Sequence, residues 1–261
     1  MNILVTNDDS IYAPGIAALV DILTSLPGTR VYVWAPDSQR SANAHAISTS
    51  KPILLYEADV LEHVECQWAI SGTPVDCVKA GIKRLKSEEG IDIDLVFSGI
   101  NHGSNLGTDV LYSGTVSAAA EGVLCGVPSV ALSVGSSRPT PEMLKNFATI
   151  VEDICTRVYM LMDKKTLINI NFPDCPPEDI KGIKVARLGP REYIEKFDIQ
   201  ESPRGQKYYW YSGEMVHYEG LPEDIDVAAY QDGYITVTPM QLDLTAYEQR
   251  DKVSAWDLKY K

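Results

Sequence analysis

The chain has little that would tie it to a disulfide scaffold, a membrane or a nucleic acid. Its five cysteines, Cys66, Cys77, Cys125, Cys155 and Cys175, are odd in number and no two have C-x-x-C spacing. That argues against both a disulfide framework and a thiolate zinc site, and for a reducing compartment. Histidine is as scarce: His45, His63, His102 and His217 include no His-x-x-x-His pair, which excludes a zinc hydrolase of the His-Glu-x-x-His kind. No apolar run approaches the ~18 residues of a membrane span. The N-terminus carries three apolar residues in a row with no basic region before them, unlike a secretory signal. Lysine and arginine total 23 against 36 aspartates and glutamates, a net charge of −13, so a nucleic-acid backbone finds no counter-charge to displace its ions. The expectation is a cytoplasmic protein without a nucleic-acid duplex or membrane partner. A small anionic substrate stays compatible if a metal or a local set of donors inverts the field.

Familiar nucleotide and acyl-transfer motifs are also missing. There is no G-x-G-x-x-G, no G-x-x-x-x-G-K-[ST] and no G-x-S-x-G elbow. Phosphatases that form an aspartyl-phosphate space two Asp as D-x-D, whereas Ser10 and Ile11 stand two positions beyond Asp8 and Asp9.

What is present is an alternation of strands and helices. Ile3–Thr6 is a short apolar strand, followed by a helix over Pro14–Leu26 with Ile16, Leu19, Val20 and Leu23 on one face and Pro27-Gly28 as its stop. Val31–Trp34 reads as a second strand, and Ser48–Tyr56 and Val64–Ile70 as further ones. Thr73, Pro74 and Asp76 have the order of a capping box and open a helix. The strand "IDLVFSGIN" runs into a loop of about fifteen residues, Gly99–Ser113, a length that is usually functional or disordered. A helix over Thr115–Leu124 stops at Gly126, and "SVALSV" and "LININ" are strands flanking a helix at about Glu142–Met162. The alternation implies a mostly parallel sheet with helices on both faces. Beyond it, "YIEKFDI" and "KYYWYSG" around the turn "SPRGQ" predict a projecting hairpin at about 189–218, within a single domain over 1–261. Such a ribbon has too little core of its own and should be buried between subunits.

Loops at the C-terminal ends of parallel strands converge on one crevice. Asp8 and Asp9 follow the first strand, Arg40 and Ser41 the second, and Asn101 and Asn105 lie beyond "LVFS". Two carboxylates, the Ser41 hydroxyl and the Asn101 amide oxygen are hard donors suited to Mg²⁺, Mn²⁺ or Ca²⁺. In a regular strand Asp8 and Asp9 would face opposite sides, so both serve one site only where the chain has left the strand. Ser113 either caps the following helix or joins Gly114 and Thr115, with Asn105 nearby, in receiving a phosphate at its N-terminus. Arg40 either grips that phosphate or is solvated. Glu121 is expected on the helix surface or in support of the site.

The segments "ILVTNDD", "AP" and "RS" after the second strand, "GTPVDCV", Ser98–Gly107 and "YSGTVSAAAEG" recur in the order seen in the survival protein SurE family, which the chain resembles over roughly its first 135 residues. The resemblance implies a Rossmann-like three-layer α/β core and one divalent ion per subunit, Mg²⁺ or Mn²⁺, held at Asp8, Asp9, Ser41 and Asn101. It further implies hydrolysis of nucleoside 5′- and 3′-monophosphates, with short polyphosphate as a substrate of some members. It also implies a homodimer or homotetramer through the hairpin. Ser10 and Ala42 depart from the family's pattern, standing where glycine is usual. A non-enzymatic module that binds metal and nucleotide, and a transferase using a nucleotide-sugar donor, are the competing readings of the same residues.

Overall fold

The first strand, β1 (Asn2–Thr6), shows why the molecule is layered. Ile3, Leu4 and Val5 are all fully buried, and alternation sends them to opposite faces of the sheet. Ile3 and Val5 join the cluster built with Ile16, Leu19, Val20 and Leu23 of α1 (Pro14–Ser25). Leu4 joins the cluster with Cys77, Val78 and Leu85 of α2 (Pro74–Glu89). A computed structural model describes residues 1–161 and 164–260 of the chain.

The remaining elements, in chain order, are β2 (Arg30–Pro36), β3 (Leu55–Glu57), β4 (Cys66–Ile70), β5 (Leu95–His102), α3 (Gly114–Leu124), β6 (Ser129–Val134), α4 (Pro141–Lys145), α5 (Ala148–Leu161) and β7 (Thr166–Phe172). They are followed by β8 (Ile183–Val185), β9 (Tyr193–Glu201), β10 (Lys207–Met215), α6 (Asp226–Gln231), β11 (Ile235–Gln241) and α7 (Tyr247–Ser254). The main sheet has the order β3-β4-β2-β1-β5-β6-β7-β11-β8, with β9 and β10 forming a separate antiparallel ribbon. Strands β4 to β7 in that order are parallel, β3 and β11 run against their neighbours β4 and β7, and β8 is parallel to β11. The cluster on one face includes Val151 and Cys155 of α5 with α1, and the other includes Ala118 of α3 with α2. The result is the expected three-layer α/β core with a mostly parallel sheet and a projecting hairpin.

The chain builds outward from β1 to β2 and β4, then crosses back to place β5 on β1's other side. The switch point between β1 and β5 is where a ligand crevice forms in an open α/β sheet. The predicted capping box is present at α2: Thr73 Oγ1 accepts from the Asp76 amide at 3.1 Å, and Asp76 Oδ2 from the Thr73 amide at 2.9 Å.

Three expectations from sequence are corrected. Of Ser48–Tyr56 only Leu55 and Tyr56 fall in a strand, which pairs as β3 with β4; residues 48–54 have no buried face to hold them against the sheet. The helix over Glu142–Met162 divides into α4 and α5, because Phe147 turns into the core against Phe172 with ring centroids 3.7 Å apart; Met162 lies outside the described residues. Gly99–Ser113 is not a structureless loop. β5 continues to His102 after a register shift between Ser98 and Asn101, and Gly107–Leu111 forms a 3-10 turn.

Candidate active site

The chain leaves β1 at Thr6, which lets Asp8 and Asp9 escape strand alternation. Asn7 is fully buried and its Nδ2 donates to the Ser10 carbonyl at 2.7 Å, closing the turn. Ser10 sits at φ +93°, the left-handed region. Asp8 is 4% exposed, with Oδ1 accepting from the Thr115 hydroxyl at 2.5 Å. Burial pushes the Asp8 carboxyl up to about 6, and the charge of Asp9 adds to this, against hydrogen bonds from the Thr115 hydroxyl and amide. Gly114 permits the approach: a Cβ there would lie 2.9 Å from both Cβ and Oδ2 of Asp8.

Asp9 faces two other loops. Its Oδ2 accepts from the His102 amide at 3.1 Å and its Oδ1 from Gln39 Nε2 at 3.3 Å. The same Gln39 nitrogen donates to Ser41 Oγ at 3.0 Å, which ties Ser41 to Asp9. The Arg40 amide donates to the Asp8 carbonyl at 2.7 Å, so the loop after β2 is stitched directly to the acidic turn. Ala42, one residue beyond Ser41, takes φ +56°. Asn101 follows the register shift in β5, and its Nδ2 donates to the Gly103 carbonyl at 2.7 Å. That bond occupies the amide nitrogen and leaves the oxygen as the polar atom available to the site.

The structure thus brings Asp8, Asp9, Ser41 and Asn101 to adjoining positions at the C-terminal ends of β1, β2 and β5. Arg40 is committed elsewhere: its Nη2 donates to Asp37 Oδ1 at 3.0 Å and to the Ser71 carbonyl at 3.1 Å. Ser113 caps α3, accepting from the Val116 amide at 3.0 Å. The helix end expected to receive a phosphate has Asp8 against Gly114 and Thr115. Asn105 is buried and its Nδ2 donates to Ser133 Oγ at 2.9 Å. Glu121 is not on the surface. It is 2% exposed, within 2.7 Å of Lys79 Nζ and 3.0 Å of His45 Nε2.

Several site neighbours were not singled out from sequence. Gln39 bridges Asp9 and Ser41, and His102 places Nδ1 3.9 Å from Asp9 Oδ2. Neither carries a spacing signal. Asn169 and Asn171 hold the Asn105 backbone from β7, and two amides at alternate positions of the buried strand "LININ" were a readable sign of a polar partner.

A divalent cation fits these donors. Two carboxylates converge in a buried turn with only hydrogen bonds to neutral donors, and His102 at 3.9 Å, to offset their mutual repulsion, and a neutral hydroxyl and an amide oxygen stand beside them. The Asn7 Oδ1 atom is also buried without a hydrogen-bond partner. Among the described residues no three His, Cys, Asp or Glu side chains cluster to hold a metal. The set is therefore two acids with neutral oxygen donors, the chemistry of a hard cation that keeps part of its shell for water or substrate.

Comparison with known proteins identifies the family. Residues 3–195 match the family model described as "Survival protein SurE". The chain belongs to the survival protein SurE family. It is 47% identical over 249 residues to the 5'-nucleotidase SurE of Syntrophomonas wolfei, covering 95% of this chain and 91% of that one. It is 43% identical over 262 residues to that of Desulforudis audaxviator, covering 100% and 99%. The crystal structure of the SurE protein from Aquifex aeolicus superposes with a TM-score of 0.78 at 37% identity, covering 97% of this chain and 98% of that one. The family match contains every residue of the site and ends inside β9.

Proposed function

We propose that the chain is a divalent-metal-dependent phosphomonoesterase that hydrolyses nucleoside 5′- and 3′-monophosphates, with short polyphosphate as a further substrate. The observation that carries this is the convergence of buried Asp8 with Asp9, Ser41 and Asn101 at the sheet's switch point, against the N-terminus of α3. The relatives named 5'-nucleotidase SurE, aligned over nearly the whole chain, support the substrate class.

Asp8, Asp9, Ser41 and Asn101 would hold one Mg²⁺ or Mn²⁺ per subunit. When bound, such an ion neutralises phosphate charge and lowers the pKa of a water. The chain's own residues do the rest. Either Asp9 or Asp8 orients the attacking water and accepts its proton. The dipole of α3, positive at Ser113–Thr115, favours the negative charge that gathers on the phosphoryl oxygens. Gln39 and the His102 amide keep Asp9 from swinging toward solvent. The hairpin joins subunits into a dimer or tetramer, and the charge, cysteine usage and absence of a membrane-length helix among the described residues suit a cytoplasmic enzyme.

The test is phosphate release from a panel of nucleoside 5′- and 3′-monophosphates by chelator-stripped protein, with Mg²⁺ or Mn²⁺ restored. Metal-dependent release is expected, with Asp9→Asn losing at least about 100-fold in rate, the lower end of what a positioned proton acceptor contributes. Asp9→Asn is also expected to keep or raise the Tm in metal-free buffer, since it removes one of two repelling charges. Release that needs no metal, or full activity of Asp9→Asn, refutes the assignment. Tight nucleotide binding without release would instead support a non-catalytic binding module.

A further inference from the structure

One residue outside the ligand set grips the site loop by an unusual bond pattern. Asn171 on β7 is fully buried. Its Oδ1 accepts from the Asn105 amide at 2.7 Å and its Nδ2 donates to the Asn105 carbonyl at 3.0 Å. The side chain therefore pairs with both backbone groups of one residue, as a neighbouring strand would. Asn169 Nδ2 adds a second donor to that carbonyl at 2.8 Å, and Asn105 Nδ2 reaches Ser133 Oγ at 2.9 Å.

The grip leads to the site through few bonds. Asn101 pairs with Ser133 on β6, and Ser133 pairs with Asn171 on β7, so the three stand in one row across the sheet. Between Asn101 and Asn105 the Gly103 amide donates to the Val134 carbonyl at 2.8 Å. The Gly103 carbonyl takes the Asn101 Nδ2. The direction of the Asn101 oxygen thus depends on where Gly103 sits, and Asn105 fixes the far end of that turn.

Resting on the functional reading above, we infer that Asn171 is a positioning residue for the active site. It substitutes for a strand edge on Asn105 and thereby holds the Gly103–Asn105 turn that aims the Asn101 oxygen. Only a group that both donates and accepts in one plane can do this, and a carboxyl can do it only when protonated. Asn171→Asp should therefore be rescued by acid. Its partners, Asn105 on the loop, Ser133 on β6 and Thr236 on β11, are uncharged. Among the described residues, the ionisable groups that touch the loop include Asp9 at the His102 amide, His102, Arg191 and Tyr230 at Ser104, and Asp226 at the Gly107 amide. They are unchanged in the variant, so normalising to the unsubstituted protein at each pH removes their titration.

The experiment compares the full-length protein with Asn171→Asp and Asn171→Leu. It measures Mn²⁺ affinity by titration calorimetry, exchange of the Asn105 amide by NMR in metal-free buffer, and kcat/KM on a nucleoside monophosphate across pH. Asn171→Leu is expected to lose about 10–100-fold in Mn²⁺ affinity and kcat/KM, the usual cost of removing a group that orients a ligand, with faster exchange at Asn105. Asn171→Asp is expected to approach the unsubstituted protein as pH falls and to diverge from it as the introduced carboxyl ionises. A folded Asn171→Leu with unchanged Mn²⁺ affinity and exchange, or an Asn171→Asp impaired equally at every pH, overturns the inference. If the unsubstituted protein hydrolyses no nucleotide, the functional reading falls, and the Mn²⁺ and exchange measurements still decide the role of Asn171.

Discussion

Asp8 is a carboxylate that the fold makes costly to ionise. Its carboxyl is pushed up to about 6 from an ordinary 3.8. Between those two values the folded protein holds a proton that the unfolded chain has released, so stability falls as pH rises through this window. The loss is complete above about pH 6 and amounts to roughly 3 kcal/mol at 1.36 kcal/mol per pH unit. In chelator, urea denaturation should therefore show the protein gaining stability as pH is lowered from 7 to 4. Asp226, raised by burial in the same direction, contributes to the total, so the share of Asp8 is read as the difference from Asp8→Asn. That variant should be flatter with pH and more stable at pH 7. An equal slope in both proteins would contradict the burial argument.

Single residues also store strain beside the acidic turn. Ala42 takes φ +56°, and left-handed backbone costs a non-glycine residue roughly 1–2 kcal/mol. Glycine relieves this and gives back roughly 0.5–1 kcal/mol in unfolded-state entropy. Ala42→Gly should thus stabilise by about 0.5–1 kcal/mol, seen as a higher denaturation midpoint at unchanged m-value. Ser10→Gly is a less clean test because Ser10 Oγ also accepts from the Tyr12 amide at 3.3 Å. The two departures were legible in sequence as mismatches to a pattern, and the positive φ values give their physical meaning. Asp8 and Asp9 were legible because adjacent charges after a buried strand need an explanation. Gln39, His102 and Asn171 were not singled out, since their partners lie 30, 93 and 66 residues away in the chain.

At the scale of elements, α3 is where helix chemistry and site chemistry meet. Its cap and start could be read from Ser113 and Gly114, but not that the Asp8 carboxylate would stand against its first turn. In an open helix Gly→Ala stabilises by about 1 kcal/mol. At Gly114 the sign should reverse, because the new methyl would press on Asp8 Cβ and Oδ2 at 2.9 Å. Overpacking of this kind costs about 1–3 kcal/mol. Gly114→Ala should lower the Tm and weaken metal-dependent hydrolysis together, whereas a variant that gained stability would mean that Asp8 can move aside. β11 illustrates the opposite failure of legibility. Pro239 argues against a central strand, yet β11 lies between β7 and β8. It is tolerated because β8 pairs only with Ile235–Val237, which leaves the Pro239 side of the strand without a ladder partner from β8.

For the whole molecule, strand-helix alternation foretold a parallel sheet, and the crossover from β4 to β5 put the acidic turn at its switch point. What alternation cannot encode is how a projecting ribbon is used. β9 and β10 pair over nine residues each, and Ile194, Phe197, Ile199, Tyr209, Trp210 and Tyr211 are all more than half exposed. Phe197 packs on Tyr209 and Tyr211 at 5.3 and 5.2 Å, a small cluster for a ribbon that has no sheet beneath it. Two isolated strands are marginal in water, so a ribbon with this much apolar surface needs cover. The base of the ribbon is different: Tyr193 donates to Asp109 at 2.6 Å and Arg191 lies 2.7 Å from the same carboxylate, which anchors it to the turn beyond the site loop. A Gly-Gly turn in place of residues 195–213 would therefore remove all of these apolar side chains except Ile194 and keep the anchor. Light scattering should then give the mass of a single chain, with metal-dependent hydrolysis per subunit retained if the site is complete within one chain. An unchanged oligomer mass would assign subunit contact to another surface. Loss of hydrolysis in a folded single chain would mean that subunit contact supports the Asn101 loop as well.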